Sequence, residues 1–243
     1  MKYRVITVNT CPSDFPRIYV DGCYDLFHWG HMNAIRQARS LFDGRCVVVV
    51  GLVTNRAIEE QKGRTVFSED ERVLAVSSCQ WVDEVVCGIA AWDTTVALMD
   101  ALHIDVVVHG GDVSLNAATG RNSYQEVIDR GMFRTVPRTD GVSTTNLINR
   151  ILGTVRDEPL APWSFRSTTV AAFQREKRPT QSDDHVVYVD GAFDILRLGK
   201  AADPQTRGTT GCSATRARPA PAPSSGSGPT TTSDASRARG SQS

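Results

Sequence analysis

The chain has 243 residues, with 27 lysines and arginines against 27 aspartates and glutamates, so its formal net charge is zero. That length suffices for one sizeable domain or two small ones with a real core. The charge balance argues against a nucleic-acid or acidic-membrane partner, and the longest apolar run, residues 46–50, ends at Gly51, far short of the roughly 20 residues a membrane-spanning helix needs.

Residues 1–16 show no basic flank followed by an apolar stretch, so they read as an N-terminal extension and not as a secretory signal. Ile18, Tyr19 and Val20 then form a predicted buried strand. Met32, Ile35, Ala38, Leu41 and Phe42 recur at helical spacing. Residues 45–53 are a valine-rich strand, apolar on both faces as a parallel sheet requires. Lys62 falls on a predicted loop after Glu59, Glu60 and Gln61. Ser68 and Glu71 have capping-box spacing ahead of Val73, Leu74 and Val76. Residues 83–86 are a third strand, and Asp93 is placed to cap a helix through Val96, Leu98, Met99 and Leu102. A fourth strand covers 105–109. A helix over 123–130 closes at Gly131, and Ser143 caps a last helix through Leu147, Ile148, Ile151 and Leu152. This alternation predicts an α/β domain over residues 17–155 with a mainly parallel, doubly wound sheet. Ligands of such sheets bind beyond the carboxyl ends of the strands.

Composition shifts near residue 201. Residues 201–243 contain no Leu, Ile, Val, Met, Phe, Tyr or Trp, and a segment without them is expected to be a disordered tail. Residues 156–184, with Pro159, Pro162 and Pro179, read as a linker. The sequence IYVDGCYDL at 18–26 returns as VYVDGAFDI at 187–195. Residues 185–200 therefore look like the start of a second copy, with Arg197 and Lys200 in the two histidine positions, and the change of composition after Lys200 points to a truncated or frame-shifted product. None of the six cysteines forms a CxxC pair, so they are read as reduced thiols of a cytoplasmic protein, and no His or Cys shows zinc-ligand spacing.

The chemistry concentrates in two blocks. His28-Trp29-Gly30-His31 follows the first predicted strand at a helix start, where free backbone N–H groups and the dipole favour anions. Gly22 and Gly30 allow close backbone approach, and two imidazoles add donors for phosphate oxygens. In the second block Arg138 offers a planar fork, Gly141 permits close approach, and Ser143 and Thr144 open the last helix with hydroxyls and backbone donors. Taken singly, each block is also compatible with an ordinary capped helix.

Three blocks in one order narrow this. The sequence DGCYDLFHWGH at 21–31 resembles the opening motif of the cytidylyltransferase family. Lys62-Gly63 ahead of Glu71-Arg72 and the WVDEVV run at 81–86 is similar to the family's middle block, and RTDGVSTT at 138–145 resembles its second hallmark. The resemblance implies a Rossmann-like fold and transfer of a cytidylyl group from CTP, with Mg2+, to a small phosphorylated alcohol. It further implies His28, His31, Lys62 and Arg138 as the catalytic cations and donors, and Gly22, Cys23, Tyr24, Asp25, Gly30, Gly141, Ser143, Thr144 and Thr145 as nucleotide contacts. A homodimer is expected.

For the acceptor, phosphoethanolamine is expected over phosphocholine or glycerol 3-phosphate. The tandem repeat, the loop from His109 through Asp112 to Val127, and Thr94-Thr95 after Trp92 resemble the ethanolamine-type branch, and no basic amphipathic helix follows Val155. Gly111 and Trp92 depart from that branch, which usually has Asp or Asn and Tyr there. Asp112 could accept from a primary ammonium, whereas the Trp92 face would suit a quaternary one. An inactive chain serving as a dimerisation partner is the non-enzymatic alternative. A nicotinamide-dependent oxidoreductase is disfavoured because no GxGxxG follows the first strand.

Overall fold

The structure is a computed structural model that describes residues 3–154 and residue 188. The predicted linker, second-repeat start and tail lie outside the described residues, apart from the single residue Tyr188.

Six strands form one sheet in the order β1-β4-β3-β2-β5-β6. They are β1 (Arg4–Thr7), β2 (Arg17–Gly22), β3 (Val47–Val53), β4 (Glu84–Ile89), β5 (Val106–Gly110) and β6 (Phe133–Val136). All neighbours pair in parallel except β1, which runs antiparallel to β4 with Arg4 opposite Cys87. The predicted N-terminal extension thus supplies an edge strand. The helices are α1 (Trp29–Ser40), α2 (Asn55–Lys62), α3 (Glu69–Ser77), α4 (Val96–Ala101), α5 (Gln125–Asp129) and α6 (Thr144–Ile151). Among the described residues no helix is long and apolar enough to cross a membrane.

All seven residues of β3 are buried because both sheet faces are covered. Ile18, Val48, Val50, Val85 and Cys87 pack with Ile35 and Ala38 of α1 and Val73 and Val76 of α3. The alternate residues Tyr19, Val47, Val49, Val86 and Val107 pack with Leu98 and Met99 of α4 and Val127 of α5. The period-two alternation of strand side chains thereby feeds two cores. Gly51 is required by this packing, because a Cβ there would overlap the Tyr19 hydroxyl. Asp83 fixes the β3–β4 edge: its carboxylate accepts from Arg39 Nη1 at 2.7 Å and from the Val48 amide at 2.9 Å.

Two local expectations are corrected. Lys62 is the last residue of α2, not a loop residue; Thr54 caps that helix through the Ala57 amide, and Gly63 ends it at φ 97°. Helix α4 is capped by Thr95, whose hydroxyl accepts from Leu98 N at 3.3 Å, and Asp93 instead accepts both bonds of the Asn116 amide at 3.0 Å. The Ser68–Glu71 capping box and the Ser143 cap form as their spacing predicts.

The order places the topological switch between β2 and β5. Their ladder stops at Ile18–Val106 and Tyr19–Val107, so the last residues of the two strands separate and open a crevice at their carboxyl ends.

Candidate active site

A cleft of about 410 Å³ occupies that crevice. It is lined by Gly22, Cys23, Tyr24, Asp25, His28, Gly30, His31, Lys62, Asp112, Arg138, Ser143, Thr144 and Thr145, so all but two of the residues singled out from sequence converge there. Gly141 lies outside this lining; its φ of 76° makes the turn that leads into α6. Trp92 lines a smaller adjoining recess of about 40 Å³ together with Asp21, Gly22, Cys23, Val53, Lys62, Ser114 and Tyr124.

The two histidines cap α1 reciprocally. His28 Nδ1 accepts from the Gly30 amide at 3.1 Å, and His31 Nδ1 accepts from the His28 amide at 3.3 Å. The rings stack with centroids 3.8 Å apart, and His31 also stacks on Phe27. Burial, and secondarily the nearby Arg138 charge, push the His28 imidazole down to about 4. Burial, His28 and Arg138 push His31 down as well. Both rings are therefore neutral at pH 7. Because each Nδ1 accepts, the hydrogen-bond pattern assigns the ring proton to Nε2. His28 Nε2 is buried with no hydrogen-bond partner among the described residues, and a buried donor left this way is costly unless a ligand accepts from it.

The second block lies against the first. A Cβ on Gly30 would meet Val142 Cγ1 at 2.7 Å, so the Arg138–Ser143 turn rests on the start of α1 and needs a glycine there. Asn33 Nδ2 donates to Thr139 Oγ1 at 2.9 Å, and Gln37 Nε2 donates to the Pro137 carbonyl at 3.0 Å. The Thr144 hydroxyl donates to the Asp25 carbonyl at 3.0 Å, tying α6 to the β2–α1 loop. That loop is unusual, with Tyr24 and Leu26 at φ 52° and 46°, values seldom adopted by residues other than glycine. Two features hold it. The Asp25 carboxylate accepts from the amides of Val66 and Phe67, both at 2.8 Å, so this side chain is committed to backbone. Arg72, fully buried, donates to the carbonyls of Cys23 and Val53 at 2.6 and 2.8 Å and to Asn55 Oδ1 at 2.6 Å.

Arg138 forms an ion pair with Asp112 across the cleft mouth, and both side chains are more than half exposed. Lys62 Nζ sits 5.1 Å from the centre of the Trp92 ring. Sequence reasoning missed Asp21. Its carboxylate lies at the end of β2 in both cavities and accepts from the Tyr124 hydroxyl at 2.6 Å and the Thr94 hydroxyl at 2.5 Å. The signal was available, since Asp21 recurs as Asp190 in the internal repeat.

A cytidylyltransferase-like family model matches residues 19–150, more than half of the chain. The chain belongs to the cytidylyltransferase-like family. It is 39% identical over 209 residues to an ethanolamine-phosphate cytidylyltransferase of Dictyostelium discoideum, covering 75% of this chain and 57% of that one. It is 43% identical over 229 residues to one of Mus musculus, covering 75% and 55%. Choline-phosphate cytidylyltransferase A of Mus musculus is 40% identical over 153 residues, 61% of this chain and 41% of the relative. The chain thus spans little more than half the length of the ethanolamine-type relatives. The match of this cytidylyltransferase-like domain covers both histidines, Lys62, Arg138 and the start of α6.

Proposed function

We propose that the chain transfers the cytidylyl group of CTP to phosphoethanolamine, giving CDP-ethanolamine and pyrophosphate. The observation that carries this reading is the unpartnered His28 Nε2–H at the start of α1, on a residue that lines a cleft together with the start of α6. Two helix N-termini, two neutral imidazole donors and the cations Lys62, Arg64 and Arg138 around one cleft suit a polyphosphate.

The reaction is an in-line displacement. A phosphate oxygen of phosphoethanolamine attacks the α-phosphorus of CTP; the bond to the bridging oxygen breaks, and pyrophosphate leaves with its electron pair. The nucleophile is mostly dianionic at pH 7, because its second pKa is near 6, so no covalent intermediate is needed. The site contributes position and charge. His28 and His31 donate from Nε2 to triphosphate oxygens, Arg138 and Lys62 neutralise phosphate charge, and the hydroxyls and amides of Ser143, Thr144 and Thr145 hold phosphate at α6. Among the described residues no group of three His, Cys, Asp or Glu could hold a metal alone. Mg2+ binds through substrate phosphates and one or two carboxylates. The ion would be held mainly by the substrate phosphates, because Asp112 is engaged by Arg138 and Asp25 by backbone amides, and it would supply further charge neutralisation.

The recess supports an ammonium acceptor. The Asp21 carboxylate, held by two hydroxyls, and the Trp92 face offer a cation both charge and π contact. The Asp21 carboxylate can accept from the N–H groups of a primary ammonium, which a trimethylammonium lacks. Trp92 is the observation on the side of phosphocholine. Pyrophosphate release by the purified chain with CTP and phosphoethanolamine, phosphocholine or glycerol 3-phosphate tests the reading. Release greatest with phosphoethanolamine is expected, and preference for either other acceptor overturns it. No release with any of the three acceptors would leave only the non-enzymatic role, as a dimerisation partner of full-length copies.

A further inference from the structure

We propose that Lys62 occupies the ammonium recess of the unliganded protein, and that the substrate's ammonium displaces it from Trp92 toward the phosphate. The inference rests on the recess being the ammonium subsite.

Lys62 lines both the main cleft and the recess, and of the residues shared by the two it alone carries a long cationic side chain. It ends α2, with Gly63 immediately beyond, so its four-carbon stem swings from an exposed position. Its Nζ lies 5.1 Å from the Trp92 ring centre, the place a ligand cation would take on that face. The five ion pairs among the described residues do not include Lys62. The lysine is therefore held by an aromatic face, a weak hold for a charge.

Two cations in so small a recess repel, and only one can sit on the ring. When a primary ammonium enters beside Asp21, Lys62 must leave. The alternative open to it is the main cleft, where the same substrate carries its phosphate. Occupation of the amine end thus delivers a cation to the phosphate end. A phosphate ester lacking an ammonium leaves Lys62 on Trp92 and its own charge less neutralised, which discriminates against it without any steric clash. Trp92 acts here as a positioning residue for Lys62.

Ethanolamine, which lacks the phosphate, isolates the exchange. Calorimetric titration without nucleotide should show ethanolamine binding Lys62→Met about threefold or more tighter than the unaltered protein, the scale of one exposed cation–π contact. Arg64→Met, which removes another cation lining the cleft, controls for general repulsion and should give no such gain. By NMR, the Lys62 ε-methylene, shielded by the Trp92 ring, should move toward its free position as phosphoethanolamine is added, and stay with ethyl phosphate. Unchanged or weaker ethanolamine binding in Lys62→Met, an equal gain in Arg64→Met, no binding to any form, or a static methylene signal overturns the proposal. Tightening without pyrophosphate release from CTP and phosphoethanolamine would sink the assigned reaction while the exchange stands; release without tightening does the opposite.

Discussion

Replacing His28 separates its two tasks. Its Nδ1 caps α1, and its Nε2 offers the unpartnered donor. Asparagine is a good N-cap, and the extended backbone of His28, φ −132° and ψ 171°, suits it, so His28→Asn keeps the cap and removes the donor from the Nε2 position, its own amide N–H groups sitting on a shorter side chain. His28→Ala loses both. Loss of the cap costs about 1 kcal/mol, which lowers Tm by about 2–4 °C for a domain of this size. Loss of a donor aimed at transition-state charge costs about 10²–10³-fold in kcat. The expected pattern is turnover reduced about 10²-fold or more in both variants, with Tm lowered only in His28→Ala. Pyrophosphate release and thermal melting, measured on the same preparations, read the two effects. Asparagine turnover within threefold of the unaltered protein would refute the donor role, and an equal loss of Tm in both would refute the cap.

The remaining predictions follow from burial, pairing and close packing. His28 protonates near 4 when folded and near 6.5 when unfolded, so its stabilising contribution is complete above about 6.5 and is lost as pH falls toward 4. Tm should drop between pH 7.5 and 5, and drop less in His28→Asn; an unchanged pH dependence in the variant contradicts the buried neutral imidazole. Asp112→Asn frees Arg138 from its ion pair and should tighten CTP about two- to fivefold, the scale of an exposed pair. A KM for phosphoethanolamine raised more than tenfold with CTP unaffected would place the ammonium on Asp112 instead. Gly51→Ala forces a methyl into the Tyr19 hydroxyl and should destabilise by about 1–3 kcal/mol, read by urea unfolding; an unaltered midpoint would mean that the sheet yields at no cost.

Much of the molecule was legible because its signals are local. The valine run of β3 needs burial on both faces, and the Ser68–Glu71 and Ser143 caps depend only on residues within one turn. What was missed depends on partners distant in sequence. Strand β1 has a mostly exposed pattern and is defined by its pairing with β4, while β6 has four residues, two of them exposed. Helix α2 buries only Ala57 and Ile58, too few to show a period, so Lys62 looked like loop. The convergence of the two motif blocks was implied by the family resemblance, but the engagement of Arg138 by Asp112 and of Asp25 by the 66–67 backbone was not, because the partners lie 26 to 42 positions apart with helices and strands between them.

None of the eight residues of α6 is buried, although this helix contributes Thr144 and Thr145 to the cleft. Its attachment to the sheet is correspondingly shallow, and local opening of such an element takes far less free energy than melting the β2–β5 core. A triphosphate gripped between α1 and α6 would clamp the helix down, so part of its intrinsic affinity is spent on ordering protein. Warming or mild denaturant would then erode nucleotide affinity well before the six-stranded sheet gives way.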